Sequence, residues 1–166
     1  MMNVTPPINT LYALKIGKKI REIVAQEAEK AIAEKGSFAI AIPGGSILKM
    51  LAGDIENKEK WTSKTTLVYV NHKCVSMDDG DLATHAKARK LFLDEWDGVN
   101  AIVLSGSADG DKEAKDYEDQ INALGGDILS RCPESGIPMF DLSLIGVGGE
   151  YTYFDAFCYK ILFSLL

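Results

Sequence analysis

The sequence predicts a single doubly wound α/β domain, in which helices cover both faces of a mostly parallel sheet. Helical stripes alternate with short apolar runs along the chain, and those runs are continuous rather than interrupted by polar residues. Continuous apolar strands are typical of parallel sheets, because a strand buried on both faces has no position for water-facing side chains. With 166 residues and no repeat or linker, the chain is long enough for one domain with a substantial core.

The first half of the chain predicts two strands and two helices. Apolar residues recur at helical spacing from Ile16 to Ile32, and Gly36 follows as a helix stop. The apolar run from Phe38 to Pro43 predicts the first strand, which opens through two glycines into the short helical segment ILKMLAG. A second buried strand is predicted from Leu67 to Val70.

The second half continues the alternation of helix and strand, which supports a parallel sheet. The helix predictions end at the glycine-containing pairs Asp97-Gly98 and Gly125-Gly126. The predicted elements are a helix from Leu82 to Trp96, a strand from Ala101 to Leu104, a helix from Ala114 to Leu124 and a strand from Phe140 to Val147.

Charge and cysteine usage exclude several classes of protein. A net charge of −6 argues against nucleic-acid binding, which needs clustered lysine and arginine. No apolar stretch reaches the length that a membrane-spanning helix needs, and the N-terminus lacks the pattern of a secretory signal. The three cysteines are odd in number and form no C-x-x-C pair, which predicts reduced thiols, no metal site and a cytoplasmic location.

Glycines and polar residues cluster in the loops that leave the predicted strands. The first loop, Pro43-Gly44-Gly45-Ser46, joins a buried strand to a helix start, where unpaired N–H groups and the helix dipole favour an anion such as phosphate. Ser46 supplies a hydroxyl as N-cap or ligand contact. The second loop begins Asn71-His72-Lys73-Cys74-Val75, and the third is Gly146-Val147-Gly148-Gly149-Glu150. Ligands of doubly wound folds bind beyond the carboxyl ends of the strands, where all three loops lie.

Two acidic runs are interpreted as turns with helix caps. Asp78, Asp79 and Asp81 could ligate a hard cation, but such a run more often forms a turn, here with Asp81 capping the next helix. Asp109-Gly110-Asp111 is interpreted in the same way before the following helix. No metal is therefore expected. No cofactor is expected either, because the third loop lacks the last glycine of a dinucleotide-binding motif.

Together, these loops resemble the 6-phosphogluconolactonases, in the superfamily shared with the glucosamine-6-phosphate isomerases. That family has a strand ending in G-G-S, a strand ending in D-E-R-x-V before D-D-x-D, and later F-D-L-x-L-L-G-x-G-x-D-G-H. The corresponding segments here are Ala41 to Ser46, Asn71 to Val75 with Asp78 to Asp81, and Phe140 to Gly148. The similarity runs from about residue 12 to residue 148, and residues 149–166 form an atypical tail. The resemblance implies the family fold, incomplete or divergent after Gly148.

The resemblance also implies the roles of the loop residues. Gly44, Gly45 and Ser46 would bind the substrate phosphate, with Lys73 as the cation where the family has arginine. Lysine keeps the charge but not the bidentate geometry of arginine. Asn71, Gly146 and Gly148 would lie next to the substrate. Asn71 replaces an aspartate that moves protons in the related isomerases, which argues against isomerase chemistry.

The catalytic base is not identified by these matches. The family's catalytic histidine falls at Thr152, and the chain's only histidines are His72 and His85. His72 is an alternative base at a strand end, although an ordinary, partly exposed histidine is the favoured interpretation. His85 is expected to lie in mid-helix with a structural or solvated role. Glu150 could substitute only if burial raised its pKa.

The implied activity is hydrolysis of 6-phosphoglucono-1,5-lactone to 6-phosphogluconate in the oxidative pentose phosphate pathway. Two alternatives remain: a catalytically inactive sugar-phosphate-binding fragment and, less favoured, an amino-sugar-phosphate isomerase or deaminase. The expected partner is a phosphorylated sugar lactone, with neither nucleic acid nor membrane. Weak self-association is a further expectation, unless the apolar segment from Tyr153 to Leu166 covers the last strand.

Overall fold

The computed structural model describes residues 8–145 of the chain. Three short 3-10 turns, Lys58–Lys60, Thr62–Lys64 and Leu93–Glu95, accompany the helices and strands. The helices and strands are α1 (Ile8–Lys35), β1 (Phe38–Ile42), α2 (Ser46–Leu51), β2 (Thr65–Tyr69), α3 (Thr84–Leu91), β3 (Asn100–Ile102), α4 (Gly110–Asn122), β4 (Ser130–Arg131), β5 (Pro138–Met139) and β6 (Leu142–Ser143).

The main sheet has the strand order β3-β2-β1-β6, and its strands are parallel. Phe38, Ile40 and Ile42 of β1 pack into the larger core with residues of α1, α2 and α3. Ala39 of β1 points to the opposite face, where Tyr117 of α4 lies in a second core. Helices therefore cover both faces, which confirms the predicted fold class. The strand order reverses between β1 and β6, and their carboxyl ends mark the position where doubly wound folds bind ligands.

The helix predictions were right in number but not in extent. α1 begins earlier than the apolar stripe suggested, and Ile16, the first residue of that stripe, is exposed. α3 ends at Leu91, because Phe92 has a non-helical backbone with φ of −160°. Leu82 lies before α3 and is exposed, so it does not line the helix. Trp96 is buried as expected, although it follows a 3-10 turn.

The strand predictions were least accurate at the end of the chain. β3 is only three residues long, and β6 contains only Leu142 and Ser143 of the run predicted from Phe140. Positions 146 and 147 of that prediction lie outside the described residues. β4 and β5 form an antiparallel pair that the sequence analysis missed. Both strands have two residues, too few for a recognisable alternation of apolar and polar side chains.

Two of the predicted helix signals are confirmed and one is wrong. Gly36 ends α1 with a φ of +84°, and its N–H donates to the carbonyl of Ile32 at 2.9 Å. Asp109 is the N-cap of α4, and its carboxylate accepts from the N–H of Lys112. Asp81 does not cap α3. The N-cap position is Ala83, which has no side-chain hydrogen bond, and α3 starts three residues after Asp81.

A carboxylate ties β6 to β1. Asp141 accepts from the N–H of Ala39 at 2.7 Å, and it forms an ion pair with Lys35 at 3.0 Å. The N–H of Asp141 in turn donates to the carbonyl of Ala39. These bonds fix the start of β6 beside β1. β6 lies at an edge of the described sheet, and the proposed covering of this edge or self-association there stays a prediction.

Replacing Asp141 by alanine should lower the free energy of unfolding by about 1.5–3 kcal/mol, because a hydrogen bond to a charged group is lost and the N–H of Ala39 loses its acceptor. Asp119→Ala is the matched control, since its ion pair with Lys115 is exposed and should contribute less than about 1 kcal/mol. Urea unfolding of the two variants measures the difference. Equal destabilisation would contradict the assigned role of Asp141.

Within the described residues, none of the helices combines the length and the apolar character that crossing a bilayer requires.

Candidate functional site

The glycine turn leaves β1 at the point where the strand order reverses. Gly45 has φ of +74° and ψ of −137°, a backbone conformation that side chains with a Cβ rarely adopt. Gly45 is also the N-cap residue of α2, and no side chain caps this helix. The prediction that Ser46 acts as N-cap is therefore wrong, because Ser46 is the first residue within the helix. Its hydroxyl remains available for a ligand contact.

Asn71 ties the end of β2 to this turn. The N–H of Gly44 donates to Oδ1 of Asn71 at 2.9 Å. A Cβ added to Gly44 would lie 3.4 Å from the side chain of Thr84, the first residue of α3. The turn after β1, the loop after β2 and the start of α3 therefore meet at one place. Among the described residues, no acceptor faces the N–H groups of Gly45 or Ser46.

The remaining residues of the expected phosphate site are less closely placed. Lys73 is exposed, and its ammonium group forms no ion pair within the described part of the chain. Gly146 and Gly148 lie outside the described residues, as does Thr152. The structure thus brings Gly44, Gly45, Ser46 and Asn71 together, whereas the role of Lys73 stays a prediction.

His72 turns away from solvent into an aromatic cluster. Its ring centroid lies 4.7 Å from that of Tyr69 and 5.4 Å from that of Tyr117. Both ring nitrogens are buried without a well-formed hydrogen bond in the described residues. Burial, followed by the charge of His85, lowers the pKa of His72 to about 4, against weaker opposing effects of Glu113 and the backbone of Ile102. His72 is thus neutral near pH 7 and a weak base.

His85 has the structural role that the sequence suggested, although its position differs. It is the second residue of α3 rather than a mid-helix residue. Its Nδ1 lies 2.9 Å from the hydroxyl of Tyr69. Burial and then the nearby Arg89 lower the pKa of His85. The histidine and the tyrosine together connect α3 to the end of β2.

α4 supports the ends of β2 and β3 from the other face. The hydroxyl of Tyr117 accepts from the N–H of Tyr69 at 2.8 Å and donates to its carbonyl at 2.9 Å. Glu113 is fully buried and accepts from the N–H groups of Ser105 and Ser107 and from the Ser105 hydroxyl. The hydroxyl bond is the largest cause that lowers the pKa of Glu113 to about 2, and the hydrogen bonds together outweigh burial, which would raise it.

The acidic loop forms a turn and brings no metal site with it. Oδ1 of Asp79 accepts from the N–H groups of Asp81 and Leu82 at 2.9 and 2.8 Å. Asp79, not Asp81, therefore organises the segment before α3. In the described part of the chain, no three His, Cys, Asp or Glu side chains come close enough to hold a metal.

A separate cleft of about 660 Å³ lies beside α3 and the end of β3. Arg89 and Asp94 line it and form an ion pair with each other at 2.7 Å. None of the residues of the glycine turn lines this cleft. It is therefore distinct from the place where the first two loops meet.

Sequence reasoning missed three contributors to this region. Thr84 was counted within a longer helix, and only the true start of α3 brings it against Gly44. Tyr117 lies within the helix predicted from Ala114 to Leu124, but the sequence carries no signal that its hydroxyl would bond to β2. Glu113 lies in a highly charged segment, DKEAKDYEDQ, that resembles a solvated helix face. The available signal was that Glu113 lies four residues before Tyr117, which puts both side chains on the same face of the helix.

The sequence of the chain is similar to those of known proteins. The sequence model of the family "Glucosamine-6-phosphate isomerases/6-phosphogluconolactonase" matches residues 14–151. A probable 6-phosphogluconolactonase of Schizosaccharomyces pombe is 25% identical over 145 residues, which cover 81% of this chain and 54% of that protein. A 6-phosphogluconolactonase of Synechocystis is 28% identical over 130 residues, covering 76% of this chain and 52% of that protein.

Solved structures show the same fold. The 6-phosphogluconolactonase of Trypanosoma brucei superposes with a TM-score of 0.62 at 21% identity, covering 82% of this chain and 57% of that one. A 6-phosphogluconolactonase from Shewanella baltica superposes with a TM-score of 0.54 at 13% identity, covering 68% of this chain and 49% of that one. The chain thus spans about half the length of the relatives that it matches.

Proposed function

We propose that this chain, which belongs to the glucosamine-6-phosphate isomerase/6-phosphogluconolactonase family, binds a phosphorylated sugar lactone and carries the phosphate site of a 6-phosphogluconolactonase. The reaction is hydrolysis of 6-phosphoglucono-1,5-lactone to 6-phosphogluconate, a step of the oxidative pentose phosphate pathway. The observation that carries this proposal is the glycine turn at the β1 end, tied by Asn71 to the end of β2. The names of the matched relatives support the choice of substrate.

The chemistry of the turn suits a phosphate dianion. The N–H groups of Gly45 and Ser46 lie at the N-terminal end of α2, where unpaired donors favour negative charge. The Ser46 hydroxyl adds one donor, and Lys73, two residues after Asn71 in the β2 loop, supplies the positive charge. Gly44 contributes through its backbone conformation, because its own N–H is already bound to Asn71.

Asn71 favours the lactonase over an isomerase. The isomerase mechanism needs a carboxylate at this position to move protons, and an amide is not a base. Oδ1 of Asn71 is also occupied by the N–H of Gly44, so this side chain acts in holding the turn. An inactive sugar-phosphate binder is the second candidate, and the threonine at position 152 favours it.

A cytoplasmic location is part of the proposal. Cys74 and Cys132 are both free thiols in the structure, as expected in a reducing compartment. Localisation of the tagged protein by microscopy would test this assignment.

Calorimetry with 6-phosphogluconate tests the phosphate site. Gly45→Val should abolish measurable binding, because valine would disturb a backbone with φ of +74°. Lys73→Ala should weaken binding by about 1.5–3 kcal/mol, the range for a hydrogen bond to a charged group. Gly36→Val and Lys64→Ala are matched controls, since Gly36 has a similar φ of +84° and Lys64 is exposed. Wild-type affinity in both site variants would place the phosphate elsewhere.

A further inference from the structure

An arginine from α1 holds the end of α2 that is farthest from the glycine turn. Nη1 of Arg21 donates to the carbonyl of Met50 at 2.8 Å and to the carbonyl of Ala52 at 3.0 Å. The last carbonyls of a helix have no N–H partner within the helix, and they carry its negative dipole end. The guanidinium group of Arg21 satisfies the carbonyl of Met50 in the last turn and that of the C-cap residue Ala52, and it complements the negative end of the helix dipole.

The surroundings of Arg21 form a slot for the guanidinium group. A Cβ added to Gly17 would lie 3.3 Å from Nη1, and one added to Gly53 would lie 3.3 Å from Cζ. Gly53 also has φ of +114°, which a side chain would strain. Nε of Arg21 is buried and has no hydrogen-bond partner in the described residues. The side chain therefore occupies one defined place between α1 and the residues that follow α2.

α2 is short, so a movement of its C-terminal end also moves its N-terminal end. Its six residues span about 9 Å, and Ile47, Leu48 and Leu51 are buried in the larger core. No side chain caps its N-terminus, so the turn is held by the bond between Gly44 and Asn71 and by the helix itself. If the hydrogen bonds of Arg21 at the C-terminal end were lost, α2 could shift, and the N–H groups of the turn would move with it.

We propose that Arg21 is a positioning residue for the phosphate-binding turn, an inference that rests on the proposed function. It touches no ligand. Through α2 it fixes where the N–H groups of Gly45 and Ser46 point. A misplacement of binding groups by a fraction of an ångström is enough to weaken a charged contact.

The test compares Arg21→Met, Arg21→Lys and the control Lys19→Met, using calorimetry with 6-phosphogluconate at 10 °C. Lys19 lies on the same helix with its side chain exposed, where it forms an ion pair with Glu22. Arg21→Met should bind about tenfold more weakly, the usual size of such indirect effects. Arg21→Lys keeps the positive charge but not the forked guanidinium geometry, and it should bind 6-phosphogluconate about threefold more weakly than the wild type. Lys19→Met should bind like the wild type.

Amide NMR spectra separate positioning from general stability. Arg21→Met should move the resonances of Gly45 and Ser46 while leaving those of α4 in place. A lower melting temperature with unchanged affinity and unmoved turn resonances would overturn the inference. If Arg21→Met does not fold, wild-type affinity and unmoved resonances in Arg21→Lys would overturn it equally. If the wild type itself fails to bind, the proposed function fails, and the turn resonances of the variants alone decide the positioning role.

Discussion

The 166-residue chain should open 6-phosphoglucono-1,5-lactone at least about 100-fold more slowly than a 6-phosphogluconolactonase that has the catalytic histidine. Attack of water on the lactone carbonyl needs a base that takes the proton of the water, and loss of such a base costs about 10²–10⁴ in rate. The resemblance to the family implies that its histidine falls at position 152, where this chain has threonine, whose hydroxyl is not basic near neutral pH. We do not expect His72 to replace this base. His72 is neutral at pH 7, but it is buried between two tyrosines and its pKa is lowered to about 4.

A coupled assay, corrected for spontaneous opening of the lactone, measures this difference against a 6-phosphogluconolactonase that has the catalytic histidine, assayed in parallel. Replacing the chain after residue 148 by a family-like ending should restore activity. Thr152→His alone should not, because a catalytic side chain also needs its supporting residues. Hydrolysis at the full rate by the unmodified chain would contradict the prediction, and His72→Asn would then be the next variant to assay.

The sequence was most informative where backbone geometry and burial coincide. β1 is buried at all five positions and is followed by Pro43 and two glycines, so its start was predicted correctly and its end to within one residue. The same holds for Gly36, whose positive φ ends α1 where the apolar stripe ends. In these places the local signals and the tertiary packing favour the same conformation.

The prediction failed where tertiary contacts decide the local structure. The segment from Leu82 to Trp96 has helical spacing, yet the chain breaks at Phe92 so that Trp96 can pack against Trp61. β6 is short because only Leu142 and Ser143 pair with β1, while Asp141 is held by Lys35 from outside the strand. Neither contact leaves a pattern in the neighbouring sequence.

The candidate site was predictable in its loops but not in its supports. The glycine turn and Asn71 were found because strand ends of a parallel sheet converge at one edge. Arg21, Tyr117 and Glu113 act from helices that are distant in sequence, and each bonds to backbone groups. Such bonds depend on the placement of the backbone, which a single sequence does not specify. His72 shows the same limit: its strand-end position left a role as base open beside the favoured interpretation of an ordinary, partly exposed histidine, and only the structure shows that it packs between aromatic rings.

Glu113→Ala should lower the free energy of unfolding by about 3 kcal/mol, because the N–H groups of Ser105 and Ser107 lose their acceptor and each unpaired group costs roughly 1–3 kcal/mol. Glu118→Ala is the matched control, since Glu118 is an exposed carboxylate on the same helix. Denaturant unfolding at pH 7 measures both variants. A loss of less than about 0.5 kcal/mol in Glu113→Ala would show that the loop after β3 does not depend on this carboxylate.

The carboxylate of Glu113 also makes the stability of the fold depend on pH. The pKa of Glu113 is lowered to about 2 in the folded chain, below the value of about 4.3 expected when unfolded. The unfolded chain therefore binds the proton first, so the stabilisation is complete above pH 4.3 and is lost as the pH falls toward 2.

His72 affects stability in a higher pH range. Its pKa is lowered to about 4 in the folded chain, below the value of about 6.5 expected when unfolded, so the free energy of unfolding falls as the pH drops from about 6.5 toward 4. Glu113→Gln should flatten only the lower part of the stability curve, whereas His72→Gln should flatten only the upper part. Identical curves for wild type and Glu113→Gln below pH 4 would contradict the assignment.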